Sequence, residues 1–155
     1  MAMRKVIPLI LIVAALALNA VAADISLVGV WKLNPPKSHF SHGDLPLSLV
    51  LTITSDGAGG IQYASQNHLT DGSSGGASFH AKFDARDYPV TGAPAYDMVS
   101  LRRINANTFN VKMKKDGQVI VDTTYTVAPD GKSLTRTGTA SHGEVNQFHE
   151  WFDRQ

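Results

Sequence analysis

Asp56-Gly57, Asp71-Gly72, Asp116-Gly117, Asp130-Gly131 and His142-Gly143 punctuate this chain, and the short runs between them alternate apolar with polar residues. That pattern constrains the fold more than anything else in the sequence. Gly supplies the positive φ that tight hairpin turns require, and Asp bonds its own backbone there. Strict alternation gives one buried and one solvated face to a strand, whereas no window sustains apolar residues at helical spacing. Nine strands follow: 26–33, 47–54, 60–69, 77–84, 96–104, 107–115, 118–127, 132–139 and 145–152, with a further tight turn at Asn105-Ala106-Asn107. Such spacing predicts an all-β, antiparallel up-and-down barrel of eight to ten strands rather than βαβ units.

A closed sheet has to bring its first and last strands together, since only closure removes the exposed edges. Gly29-Val30-Trp31 and Trp151-Phe152-Asp153-Arg154 suit that seam. Gly29 allows a close approach of backbone, and Arg154 can lie across the Trp31 indole. Gly29, Trp31, Trp151 and Arg154 are therefore the expected closure residues.

The first residues stand apart from this pattern. Arg4 and Lys5 precede an apolar run from Val6 to Ala17, and the small residues Ala20-Val21-Ala22-Ala23 follow. This reads as a secretory signal peptide over 1–23, cleaved after Ala22 or Ala23, with the barrel domain at 24–155. The run is shorter than the ~20 residues a spanning helix needs, so no transmembrane anchor is expected in the mature chain. With no Cys there is no lipid-modified N-terminus and no disulfide. The expected location is secreted or periplasmic, with a fold held by its core alone. Lys and Arg number 14 against 13 Asp and Glu, and two of the basic residues fall in the signal segment. Near neutrality argues against nucleic acid or an anionic membrane as partner.

Alternation also sorts the interior. Leu47, Leu49, Leu51 and Ile53 share a face, as do Ala77, Phe79, Ala81 and Phe83; Phe109, Val111 and Met113; and Val119, Val121, Thr123, Tyr125 and Val127. The third run mixes Ile61 and Tyr63 with Ser65 and Asn67. Aromatic, small and occasional polar residues fit either a ligand pocket or a packed core. Arg102-Arg103 is the most telling pair, because neighbours in a strand point to opposite faces. One of them faces inward, to meet a carboxylate or to hold its head in water at the barrel mouth. The candidate ligand-binding set is Arg102, Arg103, Tyr63, Phe79, Met98, Phe109, Met113, Thr123 and Tyr125, with the long Asn34–Pro46 connection as a lid. Ala85–Ala95 reads as a second long connection. Gln147 and His149 read as rim residues.

Catalytic and metal constellations are missing. His39-x-x-His42 with Asp44 lies in an expected loop and has no further ligand at zinc spacing. There is no thiol and no Gly-x-Ser-x-Gly elbow, and Gly72-Ser73-Ser74-Gly75-Gly76 has neither Lys nor helix after it. No metal, cofactor or catalytic residue is expected, and the sequence leans away from an enzyme.

Gly29-Val30-Trp31-Lys32-Leu33-Asn34 followed by Pro36-Lys37-Ser38-x-Phe40, then Tyr88-Pro89-Val90-Thr91-Gly92, Val99-Ser100-Leu101-Arg102-Arg103-Ile104 and Phe152-Asp153-Arg154-Gln155, resemble the small secreted bacterial proteins with a lipocalin-like (calycin-type) barrel. The resemblance spans most of the mature chain. It implies that Trp31 packs against Arg154 near the closing strand. It also implies transport or storage of a small hydrophobic molecule in the lumen; the inward Arg extends the expected ligand to an amphipathic molecule or a carboxylate. The alternative is a packed barrel acting as an interaction or envelope-associated module.

Overall fold

The computed structural model describes residues 26–142 and 144–155; the expected signal segment and Gly143 lie outside the described residues. Eleven strands follow in order: β1 (Gly29–Leu33), β2 (His39–Phe40), β3 (Ser48–Ser55), β4 (Gly60–His68), β5 (Ser74–Lys82), β6 (Tyr88–Thr91), β7 (Met98–Arg103), β8 (Thr108–Lys115), β9 (Gln118–Val127), β10 (Ser133–His142) and β11 (Glu144–Arg154). Every pairing is antiparallel. Ten strands form a closed up-and-down barrel, with β1 paired to β3 on one side and β11 on the other. The two-residue β2 adds to β11 beyond the end of β1. The described helix is a single 3-10 turn, Pro35–Lys37.

The turns form as their residues dictate. Asp116 and Gly117 both have positive φ, 50° and 78°, which is the two-residue turn that matches the twist of β8 and β9. At the β3–β4 turn Asp56 Oδ1 accepts N–H groups from Ala58 and Gly60, each at 2.7 Å. Asp56 Oδ2 accepts from His80 Nε2 at 2.8 Å, so one carboxylate ties the turn to β5.

Three expectations need correction. Ala85–Ala95 is not a plain connection, because it contains β6; Pro89 lacks an N–H, and this strand has two register pairs on each side. β5 begins at Ser74, not residue 77, since Gly75 and Gly76 lie opposite Asn67 and Gln66 in the ladder. A Cβ on Gly76 would run into the Ser65 carbonyl, so here Gly marks close strands rather than a turn. The Asn34–Pro46 segment is no free lid. Its first half is strapped along β11 through Asn34 N–H to Trp151 O at 2.7 Å, Trp151 N–H to Ser38 Oγ at 2.9 Å and Ser41 N–H to Gln147 O at 2.8 Å.

At the seam, Trp31 lies opposite Arg154 in the β1–β11 ladder and is fully buried. The Arg154 guanidinium sits 4.1 Å from the indole centre and donates to the carbonyls of Val28 at 2.8 Å and Ser26 at 2.9 Å, and to Gly131. Trp31 Nε1 donates to Leu27 O at 2.9 Å. A Cβ on Gly29 would collide with Arg154 Nη1; the close neighbour that Gly29 admits is thus a side chain rather than a backbone. Trp151 is half-buried on the outer face, under the Lys37 ammonium at 4.8 Å, where it holds the strap.

Candidate functional site

Alternation points one set of side chains into the barrel, but their size changes along its axis. Large residues fill the end that Arg154 seals. On β4, Ile61 and Tyr63 give way to Ser65 and Asn67; on β5, Phe79 gives way to Ala77 and Gly75; on β10, Leu134 and Arg136 give way to Gly138 and Ala140. The sealed half is packed within, and at its outer end a pocket of about 180 Å³ lies beside Leu27, Phe83, Arg103 and Phe109. Tyr63 and Phe79 stack at 4.5 Å, Phe83 and Phe109 lie 5.0 Å apart, and the residual cavity among Ile53, Leu101, Phe109 and Tyr125 measures about 10 Å³. That is room for no more than a water.

In the opposite half β3, β7, β8 and β11 keep large inner residues, Leu49, Val99, Met113 and Phe148, all of them buried, and the opening lies beside β4 and β5. Between the β4–β5 hairpin and the turn before β7 lies a mouth pocket of about 500 Å³, within the range of small-molecule sites. Ser65, Asn67 and Ala77 form its inner wall, Gly92 to Tyr96 the opposite one, and Leu69 its lip. Gly92 has a φ of 82°, and a Cβ there would lie 3.0 Å from Gly76 O. Backbone proximity therefore shapes this wall. No residue lining the pocket carries a formal charge.

In the barrel interior, Arg136 and Glu150 face each other across β10 and β11, 16% and 1% exposed at their side chains. Arg136 Nε donates to Glu150 Oε2, and Nη1 donates to the Tyr125 hydroxyl at 3.3 Å. The guanidinium is walled by the rings of Tyr125, Phe148 and Phe152 at 5.8, 5.5 and 5.9 Å. Burial alone would favour the neutral guanidine; Glu150, with Tyr125 and Tyr63, outweighs it and holds Arg136 well above its ordinary value. Burial, then Tyr125, pushes the Tyr96 phenol up to about 12, and burial first of all raises Tyr63 far above its usual range. Both stay hydroxyl donors at any physiological pH.

The sequence-derived candidates divide between these regions. Tyr63, Phe79, Phe109 and Tyr125 belong to the packed half or its boundary with the open one, and Met113 is buried on the inner face. The Thr123 hydroxyl is committed to Thr137 O at 3.1 Å. Met98, 38% exposed, faces out, because Val99, Leu101 and Arg103 take the inner face of β7. Arg102 also points outside, where its backbone forms an isolated antiparallel bridge with that of Asp84. Arg103 caps the sealed end over Phe83 and Phe109, at 5.0 and 4.8 Å; it is on the inner face but far from the mouth pocket. His39 stands opposite His149 in the ladder, His149 Nδ1 meets Thr137 Oγ1 at 3.0 Å, and His42 Nδ1 meets Ser41 Oγ at 3.1 Å. Among the described residues no three potential metal donors gather.

Sequence reasoning missed Arg136, Glu150 and Tyr96. A signal for the first two was present: alternation puts Arg136 on the face of Leu134, and Glu150 between Phe148 and Phe152. A single charge on each of two adjacent apolar faces is the pattern of a buried pair.

No protein-family model matches the chain, and no curated protein matches it. Solved structures do. A redesigned β-barrel aligns over 83% of this chain and 91% of its own, with 11% identity and a TM-score of 0.52. The protein Rv2717c from M. tuberculosis aligns over 83% and 92%, with 12% identity and a TM-score of 0.53. These likenesses show a shared barrel fold. The amine binding protein of Rhodnius prolixus, solved as its tryptamine complex, aligns over 83% and 64% with 14% identity and a TM-score of 0.43, too distant to bear on function.

Proposed function

We propose that this is a secreted or periplasmic lipocalin-like barrel that binds a small hydrophobic or amphipathic molecule in the open half of its lumen. The observation that carries the reading is the change of residue size along the axis: the strands that fill one half leave a pocket of about 500 Å³ in the other. A chain that needed only a core could have kept large residues along β4 and β5, as it does on β3, β7 and β8, where Leu49, Val99 and Met113 are buried. The signal-peptide pattern of residues 1–23 supports export. The packed-module reading draws on the sealed half, whose cavity holds about 10 Å³, but leaves the mouth pocket without a use.

Native mass spectrometry of protein from its own host tests the reading. A small-molecule adduct is expected on the wild type and lost from Ala77→Phe, which fills the pocket. Soluble probes such as 4-phenylbutan-1-ol should bind the first and not the second. Absence of any adduct and of probe binding, or binding indifferent to Ala77→Phe, favours the packed module. The exported protein should begin at Ala23 or Asp24 by N-terminal sequencing.

A further inference from the structure

His39 and His149 stand directly opposite each other in the β2–β11 ladder. Their side chains therefore rise from one face of the sheet, with Cβ atoms about 4.5–5.5 Å apart. That face is the outer one. Phe40 and Phe148, their neighbours in the chain, meet edge to face at 6.0 Å, and Phe148 is buried, while both histidines are exposed. Thr137 is the partner of His149 on its other side, and its Oγ1 lies 3.0 Å from His149 Nδ1. With Nδ1–H donating to that hydroxyl, the ring is oriented and Nε2 keeps the bare lone pair that a metal ion needs. The exposed His39 ring can turn a nitrogen to the same ion. His42, paired with His39 by sequence spacing, takes no part. Its Nδ1 meets Ser41 Oγ at 3.1 Å, and its backbone is clamped by the Asn146 amide at 3.2 and 2.7 Å.

Both histidines border a groove of about 400 Å³, whose other polar side chains are Ser41, Thr137, Thr139 and Gln147. The groove has room for water in the remaining coordination positions. Its lining holds no carboxylate, the ligand on which Ca2+ and Mg2+ sites depend. Two imidazoles with open positions suit Cu2+, Ni2+ and Zn2+, and Cu2+ binds such a set most tightly. We propose that His39 and His149 form a surface site for a divalent transition-metal ion, copper(II) foremost, and that an ion held there fastens β2 to β11. The second part follows from linkage: an ion that needs a nitrogen from each strand stabilises their paired state. β2 contributes two register pairs of its own. The site is independent of the mouth pocket.

Titration of the metal-free mature protein with CuCl2, read by calorimetry and by electron paramagnetic resonance, tests this. One Cu2+ per chain is expected, with the hyperfine pattern of two imidazole nitrogens. His39→Ala and His149→Ala should each weaken binding by about tenfold or more, and the double variant should lose no more than either, because the two rings act as one site. His42→Ala and His80→Ala should stay within about threefold of the wild type. Both substituted residues are exposed, so the metal-free variants should keep the wild-type urea midpoint; Cu2+ should raise the midpoint of the wild type alone. The Ser41 amide, which donates to Gln147 O, should exchange more slowly with copper bound. No binding, a single-nitrogen spectrum, additive losses in the two variants, or copper retained when either histidine is removed overturns the site. Binding that leaves Ser41 exchange unchanged overturns the fastening of β2.

Discussion

Trp31 is buried on all sides, and its single polar atom is satisfied by Leu27 O. Truncation to Ala would empty the site while Arg154 still spans the carbonyls around it, so the neighbours have little freedom to collapse. We expect Trp31→Ala to lose about 3–5 kcal/mol in urea unfolding, the range for an aromatic removed from a core; a loss below about 1 kcal/mol would mean the indole is no anchor. This contact was legible in the sequence because a large aromatic beside Gly, and an aromatic cluster ending in Arg, stood at the two ends of the barrel pattern. Arg136–Glu150 was legible only by joining the faces of two strands whose pairing had to be assumed. The His39–His149 pair was not legible, because alternation gives no signal for a two-residue strand inside an expected loop. Asp56 gives a second test. The His80 hydrogen bond, then the Ala58 and Gly60 N–H groups, lower its pKa from 3.8 to about 2. A carboxyl whose folded value lies below its unfolded one stabilises in full above the unfolded value, and loses that contribution as pH falls through the folded value. The stability advantage of the wild type over Asp56→Asn should therefore shrink between about pH 4 and pH 2; an advantage independent of pH across that window would show that the ionised carboxylate is not what holds the turn.

Among the elements, β6 is the weak seam. It has four residues, two register pairs on each side and a proline in its middle. β10 and β11 share ten register pairs and carry the buried ion pair between them. Local opening tracks how few bonds and apolar contacts hold a segment. Amide hydrogen exchange should thus run fastest, among the barrel strands, at Tyr88, Val90 and Thr91, and slowest in the paired stretch of β10 and β11; uniform protection around the barrel would contradict this. The same features hid β6 from the sequence. Pro89 reads as a break, and a four-residue strand gives alternation too little length to register, whereas the longer strands were placed to within a few residues by pattern and turns. The strap that Asn34 to Ser41 form along β11 was hidden for another reason: its bonds run from the backbone and from small hydroxyls such as Ser38 and Ser41, which any surface loop also contains.

For the molecule as a whole, the division of the lumen separates where stability resides from where a ligand can bind. Phe109 is buried in the sealed half, against Phe83 and beneath Arg103, and Phe109→Ala leaves a cavity that neighbouring strands cannot close. Its cost should again be about 3–5 kcal/mol. Ala77, in contrast, belongs to the wall of the mouth pocket and, though buried, stands outside the main core cluster. Ala77→Leu should therefore shift stability by less than about 1.5 kcal/mol, below the usual cost of overpacking. Ligand affinity should respond in the opposite order. Under conditions where both variants remain folded, Phe109→Ala should keep the affinity for 4-phenylbutan-1-ol within about threefold of the wild type, whereas Ala77→Leu should lower it by about tenfold or more, roughly 1.4 kcal/mol. Urea titration and calorimetry on the two variants read both quantities. If the large stability loss and the large affinity loss fall on the same variant, the two halves are one coupled core, and the separation drawn from residue size along the barrel axis is wrong. If Phe109→Ala instead binds the probe more tightly than the wild type, the vacated space has become part of the ligand site, and the boundary formed by Tyr63 and Phe79 is not a floor.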